Sequence, residues 1–173
     1  MRASITLCAV AIVSACKPPP TDVDLGRDLP EPEPTYASDP LPSPETEGAV
    51  WAVSAKDADT IIYGVPGNQA MMAITCVGES TPARLRITRM SPADEGAGAL
   101  LAMVGNGHIG RVPVDAIRVS GKLIWQGEVM AADPDLEPLA GPRQLTATIP
   151  GAGMVTLNPS PLPMQLLSEC RAR

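Results

Sequence analysis

The sequence predicts a mainly β fold: a small antiparallel sandwich or partly open barrel with a short C-terminal helix, preceded by a disordered Pro-rich linker. From residue 50 onward, short apolar runs alternate with turn residues, which is the pattern of an all-β domain. The 173 residues include no Phe, 2 Trp and 2 Tyr, so the core must consist mainly of aliphatic side chains. Proline is abundant, with 20 residues, and it is concentrated between the N-terminus and this β-rich region.

The first fifteen residues have the features of an export signal. Arg2 supplies a short positive region, and residues 3–13 are apolar apart from Ser4 and Thr6. This run is too short to cross a bilayer as a helix, which needs about 20 apolar residues. Its length is typical of the hydrophobic region of a signal peptide.

The signal ends in Val13-Ser14-Ala15-Cys16. This stretch resembles the lipobox of bacterial lipoproteins, although Leu is more frequent than Val at its first position. The resemblance implies cleavage before Cys16, diacylglycerol on its sulfur and a further acyl chain on its amino group. Two or three acyl chains are sufficient for stable anchoring. The alternative is an ordinary secretory signal in which Cys16 has no such role.

The residue after the predicted lipidation site is Lys17, not the aspartate that marks inner-membrane retention in enteric bacteria. By resemblance, the periplasmic side of the outer membrane is therefore favoured over the inner membrane. The expected partners are the membrane, through the N-terminal lipid, and an envelope protein or cell-wall component.

Residues 16–48 are predicted to form a disordered tether behind the lipid. Residues 17–47 contain nine prolines, and between Lys17 and Gly48 there are eight acids but only two bases. Proline interrupts helices and strands, and like charges repel one another. A Pro-rich ligand for a partner groove is the alternative, but Arg27 stands alone among acids and such motifs favour flanking bases.

Residues 49–173 form the predicted globular domain, with eleven acids and ten bases. This balance leaves no basic patch for nucleic acid. Strands are expected at 50–55, 60–64, 70–76, 83–90, 99–104, 108–119, 121–131, 143–149 and 154–158. Asp133 and Pro134 begin a predicted short helical segment, and residues 163–171 form the predicted C-terminal helix.

Two cysteines remain once Cys8 is removed with the signal and Cys16 carries lipid. In an oxidising compartment, Cys76 and Cys170 are expected to form a disulfide. Such a bridge would hold the C-terminal helix against the sheet. Two widely separated cysteines and a single histidine do not have the spacing of a metal site.

A possible ligand or partner surface is formed by Arg84 and Arg86, which share one face of a strand, while Arg89 points to the other face. Charged residues on the outer face of an antiparallel sheet are usually solvating or protect against edge pairing. The alternative role is binding an anionic ligand such as a lipid headgroup or a cell-wall fragment.

No catalytic or metal-binding residues are predicted. The single histidine, His108, is expected on a hairpin rim without a nucleophile motif. The acidic groups Asp94-Glu95 and Asp133-Asp135-Glu137 lie in loop or cap positions, and Gly105-Asn106-Gly107 is expected to be a turn, not a phosphate loop. We therefore expect no enzyme activity and no cofactor.

The function expected from these features is that of a lipid-anchored periplasmic protein of the cell envelope, acting as a non-enzymatic binding or structural module. A lysozyme-inhibitor-like or chaperone-like module is the first alternative, resembling those proteins in general plan only. A hydrolase using Asp and Glu residues is the second. The sequence contains no motif that identifies the partner.

Overall fold

A computed structural model describes residues 38–78 and 82–173. The predicted mainly β fold is confirmed, with a nearly closed barrel of antiparallel strands and a short C-terminal helix. The nine strands are β1 (Val50–Val53), β2 (Thr60–Gly64), β3 (Met72–Val77), β4 (Arg84–Pro92), β5 (Gly98–Gly105), β6 (His108–Val119), β7 (Lys122–Met130), β8 (Leu145–Thr148) and β9 (Met154–Leu157). A 3-10 helix, Pro134–Leu139, precedes β8, and helix α1 spans Leu162–Arg171. Within the described residues, no helix is long and apolar enough to cross a membrane.

The strands are arranged in the order β1-β2-β3-β4-β7-β6-β5-β8-β9. Strands β5, β6 and β7 are joined by hairpins, and β8 returns to pair with β5. This is a Greek-key arrangement. Because β4 pairs with β7 and not with β5, the connections from β4 to β5 and from β7 to β8 cross between strands that are not neighbours in the sheet. One connection, residues 93–97, crosses the end of the barrel where β4 finishes, which we call the mouth. The other, residues 131–144, includes the 3-10 helix and crosses the opposite end, which we call the base.

Side chains close the seam between the first and last strands. The Asn158 side-chain amide donates to the carbonyl oxygens of Ala49, at 2.8 Å, and Thr46, at 3.3 Å. The Tyr63 hydroxyl donates to the carbonyl oxygen of Thr156 at 2.9 Å. Burial raises the pKa of this hydroxyl, so it remains protonated and able to donate. These bonds satisfy backbone groups that would otherwise be left exposed at the sheet edges.

Alternation along each strand places aliphatic side chains in the barrel interior. The largest fully buried side chains are Tyr63, Met72, Ile74, Leu85, Ile87, Leu101, Met103, Leu136, Leu139, Ile149, Leu157 and Leu167. Trp51 stacks at a tilt on Tyr63, with ring centroids 5.1 Å apart. The interior is therefore filled mainly by aliphatic residues, as the absence of Phe requires.

Helix α1 covers the base of the barrel. Its buried residues are Pro163, Leu166, Leu167 and Cys170, which lie on one face at helical spacing. The sulfur atoms of Cys76 and Cys170 are 2.03 Å apart, which is disulfide-bonding distance and the predicted pairing. The 3-10 helix packs beside α1 and begins at Asp133, whose side chain accepts from the backbone N–H of Asp135 at 2.9 Å.

The folded part of the chain begins earlier than the predicted boundary at residue 49. Residues 38–44, which we call the strap, lie against the barrel mouth and belong to the domain. Residues 38–44 of the predicted tether are therefore part of the folded domain. The signal peptide (1–15), Cys16 and the tether up to residue 37 lie outside the described residues.

Candidate functional site

The barrel interior contains one arginine near the mouth. In β4, Leu85 and Ile87 point inward, and strand alternation places Arg89 on the same inward face. Ser91 is also buried, within the irregularity that interrupts the β4–β7 register between Arg89 and Pro92. Arg89 is 5% exposed and Ser91 is 6% exposed. A buried cation is costly unless it is paired or fully hydrogen-bonded. The surroundings of Arg89 therefore distinguish it from the other arginines of the domain.

Carbonyl oxygens hold one side of the Arg89 guanidinium. Its Nη1 donates to the carbonyl oxygen of Met71 at 3.0 Å, and its Nη2 contacts that of Ala152 at 3.5 Å. Within the described ranges, no carboxylate forms a salt bridge with Arg89. Burial lowers the pKa of Arg89, but a guanidinium stays protonated at neutral pH. A positive charge is thus buried without an anionic partner in the described structure.

Three buried side-chain atoms in the described structure have no hydrogen-bond partner: Trp51 Nε1, Arg89 Nε and Ser91 Oγ. Arg89 and Ser91 line the same cavity, of about 400 Å³. Its other walls are mainly apolar and consist of Leu41, Pro42, Ser43, Pro44, Gln69, Ala70, Met71, Met90 and Ala152. Two residues with incompletely satisfied polar side chains thus contribute to the wall of one largely apolar cavity, which makes this wall the candidate binding site.

The strap forms one wall of this cavity and is held at three points. The Ser38 hydroxyl donates to Asp94 Oδ1 at 2.6 Å, and the Ser38 backbone N–H donates to Oδ2 at 3.0 Å. The backbone N–H of Leu41 donates to the Gly151 carbonyl oxygen at 2.8 Å. The Ser43 hydroxyl accepts from the Met154 backbone N–H at 3.0 Å. A second cavity, of about 410 Å³, lies between the strap and residues 92–99.

The predicted surface residues Arg84 and Arg86 lie together on the outer face of β4, as expected. Both contact Glu128 of β7: Arg86 Nε is 2.6 Å from Oε1, and Arg84 Nε is 3.6 Å from Oε2. Arg84 Nη2 also donates to the Glu128 carbonyl oxygen at 3.0 Å. One carboxylate thus neutralises part of this charge, which favours a solvating role over a site for an anion. The ligand role of this pair stays a prediction.

The other residues considered from sequence have structural contacts. His108 is exposed at the start of β6. Asp135 accepts from the backbone N–H of Arg111 at 2.9 Å, and Glu137 pairs with Arg171 at 2.9 Å. Asn106, at φ 52°, occupies a hairpin turn and donates to the Pro138 carbonyl oxygen at 2.8 Å. In the described part of the chain, no group of three His, Cys, Asp or Glu side chains is placed to hold a metal ion.

Sequence reasoning assigned Arg89 to the face opposite Arg84 and Arg86 but did not recognise it as a candidate site residue. The available signal was its register with Leu85 and Ile87, which puts a charge on the core face of an amphipathic strand. Ser91 gives no such signal, because the β4–β7 register is interrupted between Arg89 and Pro92. The carbonyl oxygens around Arg89 come from residues distant in sequence and give no such signal.

Comparisons with known proteins add no family assignment. No family model matches the sequence, and no curated protein or solved structure is significantly similar to the chain.

Proposed function

We propose that this chain is a lipid-anchored, non-enzymatic binding module of the bacterial cell envelope, and that the barrel mouth is its binding site. The observation that carries the binding function is the buried Arg89 guanidinium without an anionic partner. Buried charges in folded proteins are generally paired. A site that leaves a cation unpaired in an apolar cavity is suited to receiving a ligand that completes the pair.

The sequence before the domain supports a lipid anchor and a spacer. The lipobox-like stretch Val13-Ser14-Ala15-Cys16 supports lipidation, and the proline-rich segment that follows supports a spacer function. Extended chain covers about 3.1 Å per residue, so residues 17–37 would reach on the order of 60 Å. The described part of the chain begins at Ser38, which is bonded to Asp94 at the mouth.

Membrane fractionation tests the anchor. We expect the wild-type protein to sediment with membranes and Cys16→Ser to be released to the soluble fraction, because acyl chains provide the binding energy. Cys8→Ser is the matched control, since it changes the other cysteine near the N-terminus and should leave fractionation unaltered. Membrane association of Cys16→Ser equal to that of wild type would contradict lipid anchoring.

Site-specific photo-crosslinking in cells tests the binding site. A photoreactive residue at Leu41, which lines the cavity, should yield adducts that mass spectrometry resolves from the unmodified chain. The same residue at Ile109, which is exposed on the outer face of β6, is the matched control. Equal adduct yields at the two positions, or none at Leu41, would contradict binding at the mouth.

A further inference from the structure

We propose that the ligand of the mouth is a small monocarboxylate with an apolar body, whose carboxylate binds Arg89 and Ser91. This inference rests on the proposed binding function and specifies the chemistry of its ligand. It follows from four features of the cavity: the charge to be balanced, the geometry of the free donors, the apolar walls and the movable strap.

The charge favours a carboxylate. The cavity is lined by one guanidinium, and its lining includes neither a carboxylate nor a second cation. A carboxylate carries one negative charge and balances this guanidinium. A phosphate monoester carries nearly two negative charges at neutral pH and would leave one of them buried without a partner.

The free donors have the arrangement that a carboxylate requires. Guanidinium groups bind carboxylates through two parallel N–H donors. Arg89 Nη1 is engaged by Met71 at 3.0 Å, whereas Nε is unpaired and the Nη2 contact with Ala152 is long, at 3.5 Å. The Nε–Nη2 edge has the free hydrogen-bonding capacity, but Nε exposes less than 1 Å² in the ligand-free domain, so a carboxylate would reach it only after the adjacent wall moves. The Ser91 hydroxyl, also unpaired, supplies a further donor.

The remaining walls select an apolar body. Leu41, Pro42, Pro44, Met71 and Met90 contribute aliphatic or thioether surface to the cavity. A volume of about 400 Å³ is within the range of small-molecule sites. A fully hydrated anion such as acetate would leave most of this surface unfilled. An acyl chain or an aliphatic amino-acid side chain would cover it.

The strap provides access. It contributes Leu41, Pro42, Ser43 and Pro44 to the cavity wall but is not a strand of the barrel. Its attachment consists of a few hydrogen bonds, so it can detach locally without loss of the sheet. Release of the strap could then expose the enclosed Arg89 Nε to a ligand without opening of the barrel.

Calorimetric titration of residues 37–173, with the disulfide intact, tests the proposal. These residues are used because they form one compact unit. Decanoate and N-acetyl-leucine are the carboxylate probes, which represent an acyl chain and an amino acid as sources. Decanol, decyl phosphate and acetate are the comparison probes. We expect at least one carboxylate probe to bind about 10-fold or more tightly than all three comparison probes, because only it satisfies both the charge and the apolar walls.

Variants locate the binding. Arg89→Met should weaken carboxylate binding about 10- to 100-fold, because it removes a charged hydrogen-bonding partner. Arg86→Met, on the outer face of the same strand, is the matched control and should leave affinity unchanged. Ser91→Ala should weaken binding less. Should Arg89→Met fail to fold, Arg89→Lys keeps the charge but loses the two-donor edge, and its affinity should also fall.

Several results would overturn the inference. One such result is that decanol or decyl phosphate binds as tightly as the carboxylate probes. Another is that Arg89→Met and Arg86→Met change the affinity for these probes equally. Absence of binding by both carboxylate probes would do the same. If photo-crosslinking in cells still gives adducts at Leu41, the proposed binding function would stand with a ligand of different chemistry. If it gives none, both the binding function and the carboxylate inference would be wrong.

Discussion

The hydroxyl of Tyr63 accepts a hydrogen bond from the backbone N–H of Asn158 at 3.2 Å. The same hydroxyl donates to the carbonyl oxygen of Thr156 at 2.9 Å. A side chain from β2 thus takes the place that a neighbouring strand would occupy beside β9. Since β1 and β9 do not pair through their backbones, this contact and the amide of Asn158 are what join the two ends of the sheet.

Tyr63→Phe should therefore destabilise the domain. The substitution removes a hydroxyl and leaves two partly buried backbone groups without their partner, which costs about 1–3 kcal/mol. Urea denaturation measures the change in the free energy of unfolding. Tyr36→Phe, in the predicted tether, is the matched control and should have no effect. Equal stability of Tyr63→Phe and wild type would mean that the seam does not depend on this hydroxyl.

Loss of the Cys76–Cys170 bridge should destabilise the domain further. The bridge closes a loop with a sequence separation of 94 residues. In the chain-entropy model such a loop is worth about 4–5 kcal/mol, and removal of native disulfides typically costs about 2–5 kcal/mol. Denaturation with and without reductant, followed by fluorescence, measures this difference. The Cys76→Ala, Cys170→Ala double variant is the control, because reductant should no longer change its stability. A non-reducing gel that shows two free thiols in the exported protein would exclude the bridge.

The strap contact at Asp94 should be lost in acid. Hydrogen bonds from the side chain and then the backbone of Ser38 lower the pKa of Asp94 from its usual value of 3.8. A depressed pKa in the folded state means that the contribution is present above about pH 4 and disappears as the pH falls through the folded-state pKa. Amide resonances of Ser38 and Leu41 in a pH titration report this release. Asp94→Asn should make both resonances independent of pH in this range, and titration unchanged in that variant would contradict the assignment.

The fold class and the base of the barrel could be predicted from sequence because their signals are local. Alternation of Leu85 and Ile87 with polar neighbours indicates a half-buried strand, and the spacing of Leu166, Leu167 and Cys170 indicates one apolar helix face. The disulfide followed from the cysteine count in a chain predicted to be exported. Each of these inferences uses residues that are close in sequence or a count over the whole chain.

The strand order and the candidate site could not be predicted because they depend on distant partners. Strands β4 and β7 pair in the sheet although two hairpins, β5–β6 and β6–β7, separate them in sequence. Local sequence pattern does not specify this pairing. The strap has the composition of a disordered segment, yet Ser38 binds Asp94, which is 56 residues away. Arg89 is on the core face by register, but its lack of a carboxylate partner is visible only when the surrounding strands and loops are assembled.

Two glycines with left-handed backbone separate the role of the strap from general stability. Gly153, at φ 71°, lies under the strap, and a Cβ there would be 2.7 Å from the Pro42 carbonyl oxygen. Gly107, at φ 85° in the hairpin between β5 and β6, has no atom within 4 Å of the corresponding position. Alanine at either position should cost about 1–2 kcal/mol, because both require left-handed backbone.

Only Gly153→Ala should also displace the strap. We expect the Leu41 and Met154 backbone amides of this variant to exchange faster than its lower free energy of unfolding alone would explain. In Gly107→Ala the same amides should exchange at the rate expected from its stability alone. If Gly153→Ala releases the strap, exchange at strand amides such as that of Ile87 should remain slow, because the barrel stays closed. Equal protection of Leu41 in the two variants would show that the strap is not held by its close approach to Gly153.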